Sequence, residues 1–295
     1  MMKKATKLLG VLGLVMCLAA CQDTAATTDS STADTKETVV KDAPEQINIY
    51  IARHGKTMLN TTDRSQGWID APLTPIGVEV AESLGKGLTD VEFDAVYSSD
   101  SGRAVETATL VLENNGQADL IDTIHEDKRL REFNFGTYEG MPNEDMWTAI
   151  AEKQGITLEE WQAEMAEDGF VKSIHGFADT LHELDVDKLE ELGAENEIPA
   201  DQVSWQAEDY QTVVDRANDA LNEIVADAEK AGQENILVTS HGMTIAALVS
   251  SLDANAEVPA TGLKNASVCK VVYKDGKFIV EAVNDLTYVE KGQAK

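Results

Sequence analysis

A chain of 295 residues, 43% of them hydrophobic, can bury a real core, and its length suits one large α/β domain with an insertion or two modest domains. Acidic residues outnumber basic ones 53 to 24, giving a formal charge of −29, and so negative a surface repels phosphate backbones instead of releasing their counterions. Nucleic acid is thereby excluded as a partner, and any small phosphate-bearing molecule has to be captured by a local cluster of arginines working against the global field.

The N-terminus carries the parts of an export signal: Lys3, Lys4 and Lys7, an apolar run over 8–20, and small residues before Cys21. The run is too short for a comfortable membrane span. Leu18-Ala19-Ala20-Cys21 is similar to a bacterial lipobox. That similarity implies a signal peptide over 1–20, diacylglycerol on the Cys21 thiol, and an exported chain anchored by lipid to the outer face of the cell membrane. An ordinary secretory signal cut near Ala20, or a short uncleaved anchor, is the alternative. Cys17 would leave with the signal and Cys21 would carry lipid, so Cys269 remains alone and no disulfide framework is possible. Cys269 lies in an alternating run and reads as a small buried hydrophobe. Residues 21–46, rich in Thr, Ala, Asp and Ser, cannot bury enough surface to fold and read as a disordered tether.

The apolar run 47–51 suits a buried strand. Thr74 ahead of Pro75 is a capped helix start, leading into a helix over 76–88. A second buried strand follows over 95–98, then a helix over 99–112. The stretch 141–208 breaks this pattern: it holds the capping box Thr157-x-x-Glu160, then Trp161 and Met165 at helical spacing from Leu158, and many carboxylates with only Lys153, Lys172 and Lys188 as cations. It reads as an acidic helical cap inserted over the sheet. Apolar positions at helical spacing over 209–231, a strand over 236–239 and a helix over 244–252 resume the alternation. Runs over 268–273 and 278–283 flank Lys274-Asp275-Gly276-Lys277, a hairpin signal. Strands alternating with helices imply an α/β fold of three layers, α/β/α, around a mostly parallel, doubly wound sheet built from 47–140 and 209–295.

Parallel sheets place ligands at the carboxyl ends of their strands. Arg53-His54-Gly55 follows the first strand, Arg103 sits on the helix after the second, and His241-Gly242 follows the late strand, so convergence would build one pocket from distant sequence. Each alone has a plain structural reading, because a histidine at a strand end is commonly just hydrogen-bonded.

The motifs extend further: Arg53-His54-Gly55-Lys56-Thr57, Asn60, Gln66-Gly67, the stretch from Asp70 through Thr74-Pro75-Ile76-Gly77, Ser98-Ser99-x-x-x-Arg103-Ala104, Leu130-Arg131-Glu132-x-x-Phe135-Gly136-x-x-Glu139-Gly140, and Ser240-His241-Gly242. In order and spacing these resemble the histidine phosphatase superfamily, which includes the cofactor-dependent phosphoglycerate mutases. The resemblance runs over roughly 47–252, with the acidic insertion as its poorly matched part. It implies a phosphohistidine on His54, a clamp of Arg53, Arg103 and His241 on the phosphoryl group, and a substrate side completed by Asn60, Gln66, Gly67, Gly242 and Met243. It implies no cofactor and no metal.

The chemistry suits these residue types. Phosphoryl transfer needs an in-line nucleophile and strong positive fields around the equatorial oxygens. A neutral imidazole attacks without first losing a proton, and Arg53 and Arg103 would keep His54 neutral. Guanidinium forks match phosphate geometry better than lysine does. The leaving oxygen needs a proton, and the resemblance assigns that donor to Glu132, whose carboxyl would hold its proton beside a bound dianion. The competing reading makes Glu132 a surface carboxylate paired with Arg131 or Arg129, with Asp100 as a weaker candidate donor.

Other signals fail. Gly55-Lys56-Thr57 echoes a P-loop, but Tyr50 stands where the upstream glycine is required. Lys56 reads as solvated rather than as a phosphate ligand. His182-Glu183-Leu184-Asp185-Val186-Asp187 lacks the glycine turn and terminal Glu of a calcium loop. His125 and His175 read as surface residues. Trp147, Trp161 and Trp205 read as packing anchors, with one of them able to line the cleft. The expected activity is hydrolysis of small phosphate esters outside the cytoplasm. A mutase, or a lipid-anchored binding protein with a vestigial pocket, is the rival reading.

Overall fold

The computed structural model describes residues 43–295. The export signal, Cys21 and the expected tether up to residue 42 lie outside the described residues.

Strand β1 (Ile47–Arg53) divides the core. Successive strand side chains point to opposite faces. Ile47, Ile49 and Ile51 therefore join one buried cluster while Tyr50 and Ala52 join another. Because both faces are covered, the strand reads as a continuous apolar run instead of an alternating one. A single turn, α1 (Met58–Thr61), precedes α2 (Pro75–Gly87), which starts as expected, with the Thr74 hydroxyl accepting from Gly77 N and Pro75 at the first position. Next come β2 (Ala95–Ser98), α3 (Gly102–Asn115) and the two-residue β3 (His125–Glu126). The stretch 141–208 holds α4 (Asn143–Gln154), α5 (Leu158–Asp168) and α6 (Phe170–Asn196). Then follow α7 (Tyr210–Ala231), β4 (Asn235–Ser240), α8 (Gly242–Leu252), β5 (Val268–Lys274), β6 (Lys277–Asp285) and α9 (Thr287–Gln293).

Among the described residues the strands form one six-stranded sheet in the order β3-β2-β4-β1-β5-β6. The first four run parallel, and β5 and β6 add to β1 as an antiparallel hairpin. Asp275 and Gly276 in the hairpin turn both have positive φ, 53° and 74°. That is the backbone an Asp-Gly pair favours. On one face α7 and α8 cover the sheet with Val213, Ala217, Leu221, Ile224, Ile245 and Leu248. On the other, Leu84 of α2, Ala108, Val111 and Leu112 of α3, and Val289 of α9 pack against Tyr50 and Ala52. The three-layer α/β/α arrangement is thus present. Cys269 is buried on β5 and its thiol is pushed up to about 11 by desolvation, which makes it inert.

The helix expected over 99–112 starts later, at Gly102, and runs to Asn115. The chain stays extended past β2 because Ser99 N donates to Thr239 O (2.9 Å) and the Ser98 hydroxyl bonds the Ser99 carbonyl (2.7 Å). Local serine hydrogen bonds of this kind compete with helix. Helix α6 buries Ile174, Phe177, Ala178, Leu181 and Leu189 along one stripe, and Asp185 stands in the middle of that stripe, fully buried. Its carboxylate accepts from Thr137 N (2.8 Å), Thr137 Oγ1 (2.5 Å) and Ala207 N (2.7 Å), pinning α6 beneath the loop after Glu132.

Candidate active site

The register of the parallel strands sets the site. Arg53 of β1 pairs with Ser240 of β4, and Ser98 of β2 with Thr239, so the residues that follow, His54, Ser99 and His241, emerge at one sheet edge. The rings of His54 and His241 lie 5.2 Å apart, both buried. His54 Nδ1 is 2.7 Å from the Gly55 carbonyl. A carbonyl can only accept, so Nδ1 carries the hydrogen and Nε2 keeps its lone pair. Burial, then Arg103 and Arg53, hold the His54 pKa well below the usual 6.5. His241 is lowered in the same way, by burial first and by Arg103 next. Its Nε2 meets Ser99 Oγ at 2.8 Å, and its Nδ1 has no partner.

Arg103 is wholly buried and tethered: its guanidinium donates to Asp70 Oδ1 (2.9 Å), the Ile69 carbonyl (3.0 Å) and the Gly67 carbonyl (2.7 Å). Arg53 donates to the Leu263 carbonyl. Among the described residues, the buried side-chain nitrogens without a partner are Arg53 Nε, Gln66 Nε2, Arg103 Nε and His241 Nδ1. Buried donors are almost always satisfied. Three of these, Arg53 Nε, Gln66 Nε2 and Arg103 Nε, can only donate, and with the His54 lone pair beside the two arginines they suit an anion's oxygens rather than a cation.

Glu132 takes a different place from a surface pair. It is buried, and its carboxylate accepts from Met243 N (3.0 Å), Thr244 N (2.9 Å), Thr244 Oγ1 (2.9 Å) and Phe133 N (3.1 Å). It thus caps the start of α8. Arg131 instead pairs with Asp100 (2.5 Å) and lies over the Trp68 ring, and Arg129 pairs with Asp127 and Glu223. The surface-pair reading of Glu132 is overturned, and Asp100 is committed to Arg131. Arg216, which carries no motif signal, donates to the carbonyls of Arg129 and Arg131 (both 2.7 Å) and Glu132 (2.9 Å), while Glu208 holds its other side at 2.8 Å.

The expected substrate-side residues divide. Asn60 and Gln66 line a cavity of about 330 Å³ together with Arg53, Glu132, Gly242 and Met243. Gly242 leaves room there, since a Cβ would stand 3.2 Å from Arg53 Nε. Met243 N, however, is taken by Glu132. Gly67 lies outside the lining: its N–H donates to Glu139 Oε2 (3.0 Å) and its carbonyl orients Arg103. A Cβ on Gly67 would meet the Phe133 carbonyl at 2.1 Å, so close packing explains this glycine. Glu139 also gathers Trp68 N, Ile69 N and Phe135 N, a buttress for the loop that aims Arg103. Asn265 donates to the His54 carbonyl (3.1 Å) and Asn60 Oδ1 (3.3 Å). The far wall comes from the cap: Trp147, Trp161, Met165, Phe170, Ile174 and Phe177. Two of the tryptophans expected as packing anchors therefore face the cleft, while Trp205 is exposed beside Trp68. His125 and His175 are exposed, as expected. Among the described residues no group of three or more His, Cys, Asp or Glu could hold a metal ion.

A model of the histidine phosphatase superfamily, branch 1, matches residues 49–184 and 175–286, running through the segment 141–208 that the sequence set apart. A solved phosphoglycerate mutase from Bacillus anthracis str. Sterne superposes with a TM-score of 0.72 at 40% identity, covering 85% of this chain and 98% of its own. A metal-independent phosphoserine phosphatase of Arabidopsis thaliana is 28% identical over 254 residues, 85% of this chain and 86% of the relative. The fructose-2,6-bisphosphatase TIGAR of Xenopus tropicalis is 42% identical over 108 residues, a match spanning 36% of this chain and 38% of that relative's length.

Proposed function

Because the chain belongs to the histidine phosphatase superfamily, we propose that it is a metal-independent phosphomonoesterase that hydrolyses small phosphate esters through a phosphohistidine on His54. The observation that carries this reading is the set of unpaired buried donors, Arg53 Nε, Gln66 Nε2 and Arg103 Nε, beside a neutral imidazole whose Nε2 is unprotonated. Donors already in place for the equatorial oxygens cost no reorganisation when charge develops there. His54 Nε2 forms the N–P bond as the ester P–O bond breaks, and the departing oxygen takes a proton from Glu132. Water then attacks the phosphohistidine, the N–P bond breaks, the proton of the water returns to the Glu132 carboxylate, and phosphate leaves.

The Bacillus anthracis relative favours a second reading, a mutase that hands the phosphoryl group back to the bound acid. That reaction needs cations for the substrate carboxylate. The cap has no arginine, and Lys153, Lys172 and Lys188 are paired with Asp187, Asp168 and Glu191. The test is product analysis with a phosphoglycerate as substrate. Release of inorganic phosphate, lost in His54→Ala, is expected; accumulation of the isomeric ester without phosphate release would establish the mutase instead. We further propose that the chain is exported and anchored through lipid on Cys21, on the support of the pattern over residues 3–21. No helix among the described residues is long and apolar enough to cross a membrane.

A further inference from the structure

The cavity has two unlike ends. At one end stand Arg53, Gln66 and Glu132, with Arg53 Nε and Gln66 Nε2 as buried donors without a partner. At the other, each of three cap helices contributes apolar side chains: Trp147 from α4, Trp161 and Met165 from α5, and Phe170, Ile174 and Phe177 from α6. Trp147 and Trp161 lie with ring centroids 6.1 Å apart and planes 31° from parallel, and Phe135 closes edge-on against Phe177 at 5.7 Å. Trp147 and Phe170 are only half-buried, so apolar surface faces the cleft.

Apart from Arg53, the cation on this lining is Arg64, which is exposed and donates to the Gly140 carbonyl (2.6 Å). The Ser65 hydroxyl is spent on the Tyr138 carbonyl (2.6 Å). A sugar brings hydroxyls that need partners, and a phosphoglycerate brings a carboxylate that needs a cation; the apolar cap side chains give neither, and Asn143, the polar cap residue on the lining, already donates to Asp63 Oδ1 (2.7 Å). Desolvating such groups against apolar walls without partners is costly. An aromatic group gains from the same wall. Pockets of roughly 300 Å³ and above, mainly apolar with a few fixed polar groups, are the usual size and make-up for small organic ligands.

We infer that the preferred substrates are phosphate monoesters whose organic part is uncharged and aromatic, seated against the cap with the phosphoryl group on His54. This rests on the phosphomonoesterase reading. It makes Trp147 and Phe170 specificity-determining residues rather than catalytic ones.

The test compares kcat/KM for phenylethyl phosphate, ribose 5-phosphate and 3-phosphoglycerate. All three are primary alkyl esters, so the ease of leaving is similar and the comparison reads the organic group. Phenylethyl phosphate is expected to lead by about 10-fold or more. Trp147→Ala and Phe170→Ala, at half-buried positions, should each lower that lead mainly through KM, and the more conservative Trp147→Phe and Phe170→Leu should lower it less, with far-UV circular dichroism showing that the fold survives. An equal or reversed order among turned-over esters, with His54-dependent phosphate release intact, overturns this inference alone; preference for 3-phosphoglycerate would assign the far end to Arg64. Failure to release phosphate from any ester would overturn the phosphomonoesterase reading and this one with it.

Discussion

Glu132 is fixed at both ends of the residue, its carboxylate by the first turn of α8 and its carbonyl by Arg216 (2.9 Å) and Trp68 Nε1 (3.0 Å). A general acid matters most when the departing oxygen leaves poorly, so Glu132→Gln should cost about 10²- to 10⁴-fold in single-turnover transfer from an alkyl phosphate and far less from an aryl phosphate. Arg216→Lys keeps a charge but loses the fork that holds three carbonyls, and the same selective loss, smaller in size, is expected. Equal losses on both esters would mean that these residues hold the fold or the phosphate instead of serving proton transfer. The paired histidines set a pH dependence. Both have folded values well below 6.5, so between that value and the lower folded ones the unfolded chain binds protons that the native chain does not. Their contribution to stability is therefore complete above about pH 6.5 and is lost as the pH falls toward the folded values. His241→Gln should flatten the decline in melting temperature between about pH 7 and pH 5; parallel slopes in the two proteins would contradict the assignment. Arg53, His54, Arg103 and His241 were readable because motif and strand-end position coincide, and Glu132 was picked out by the resemblance alone. Arg216 and Asn265 were not, because they act on backbone carbonyls or on other site residues brought near only by folding, and a carbonyl has no residue type to read; Asp70 stood in a motif, but its hold on Arg103 was not readable.

At the scale of elements, the strand and helix runs around the sheet were readable because two-sided burial makes continuous apolar strands and amphipathic helices. The late start of α3 was hidden because Ser99 has a second duty, its hydroxyl standing 2.8 Å from His241 Nε2. Helix α6 was hidden because a carboxylate, Asp185, interrupts its apolar stripe, and its partners Thr137 and Ala207 lie 48 and 22 residues away. Asp185→Ala would strand two backbone N–H groups and a hydroxyl in the interior, at a cost of about 3 kcal/mol. Urea unfolding should show a lower midpoint at unchanged slope, with Asp185→Asn, which keeps an acceptor, losing less. An unchanged midpoint in Asp185→Ala would remove the claim that this residue pins α6 beneath the loop after Glu132.

Over the whole molecule, a formal charge of −29 surrounds a floor where Arg103 is buried and Arg53 half-buried, so the positive field is local. The proposed export rests on the first 21 residues alone, and a Cys21→Ser form is expected to leave the membrane fraction and to incorporate no labelled fatty acid; equal labelling of both forms would contradict lipidation. The central claim is the covalent bond at His54 Nε2. Quenching turnover of a labelled phosphate ester in alkali should trap a phosphoprotein that is stable to base, labile to acid and absent from His54→Ala. A base-labile adduct, or one that survives in His54→Ala, would contradict the account.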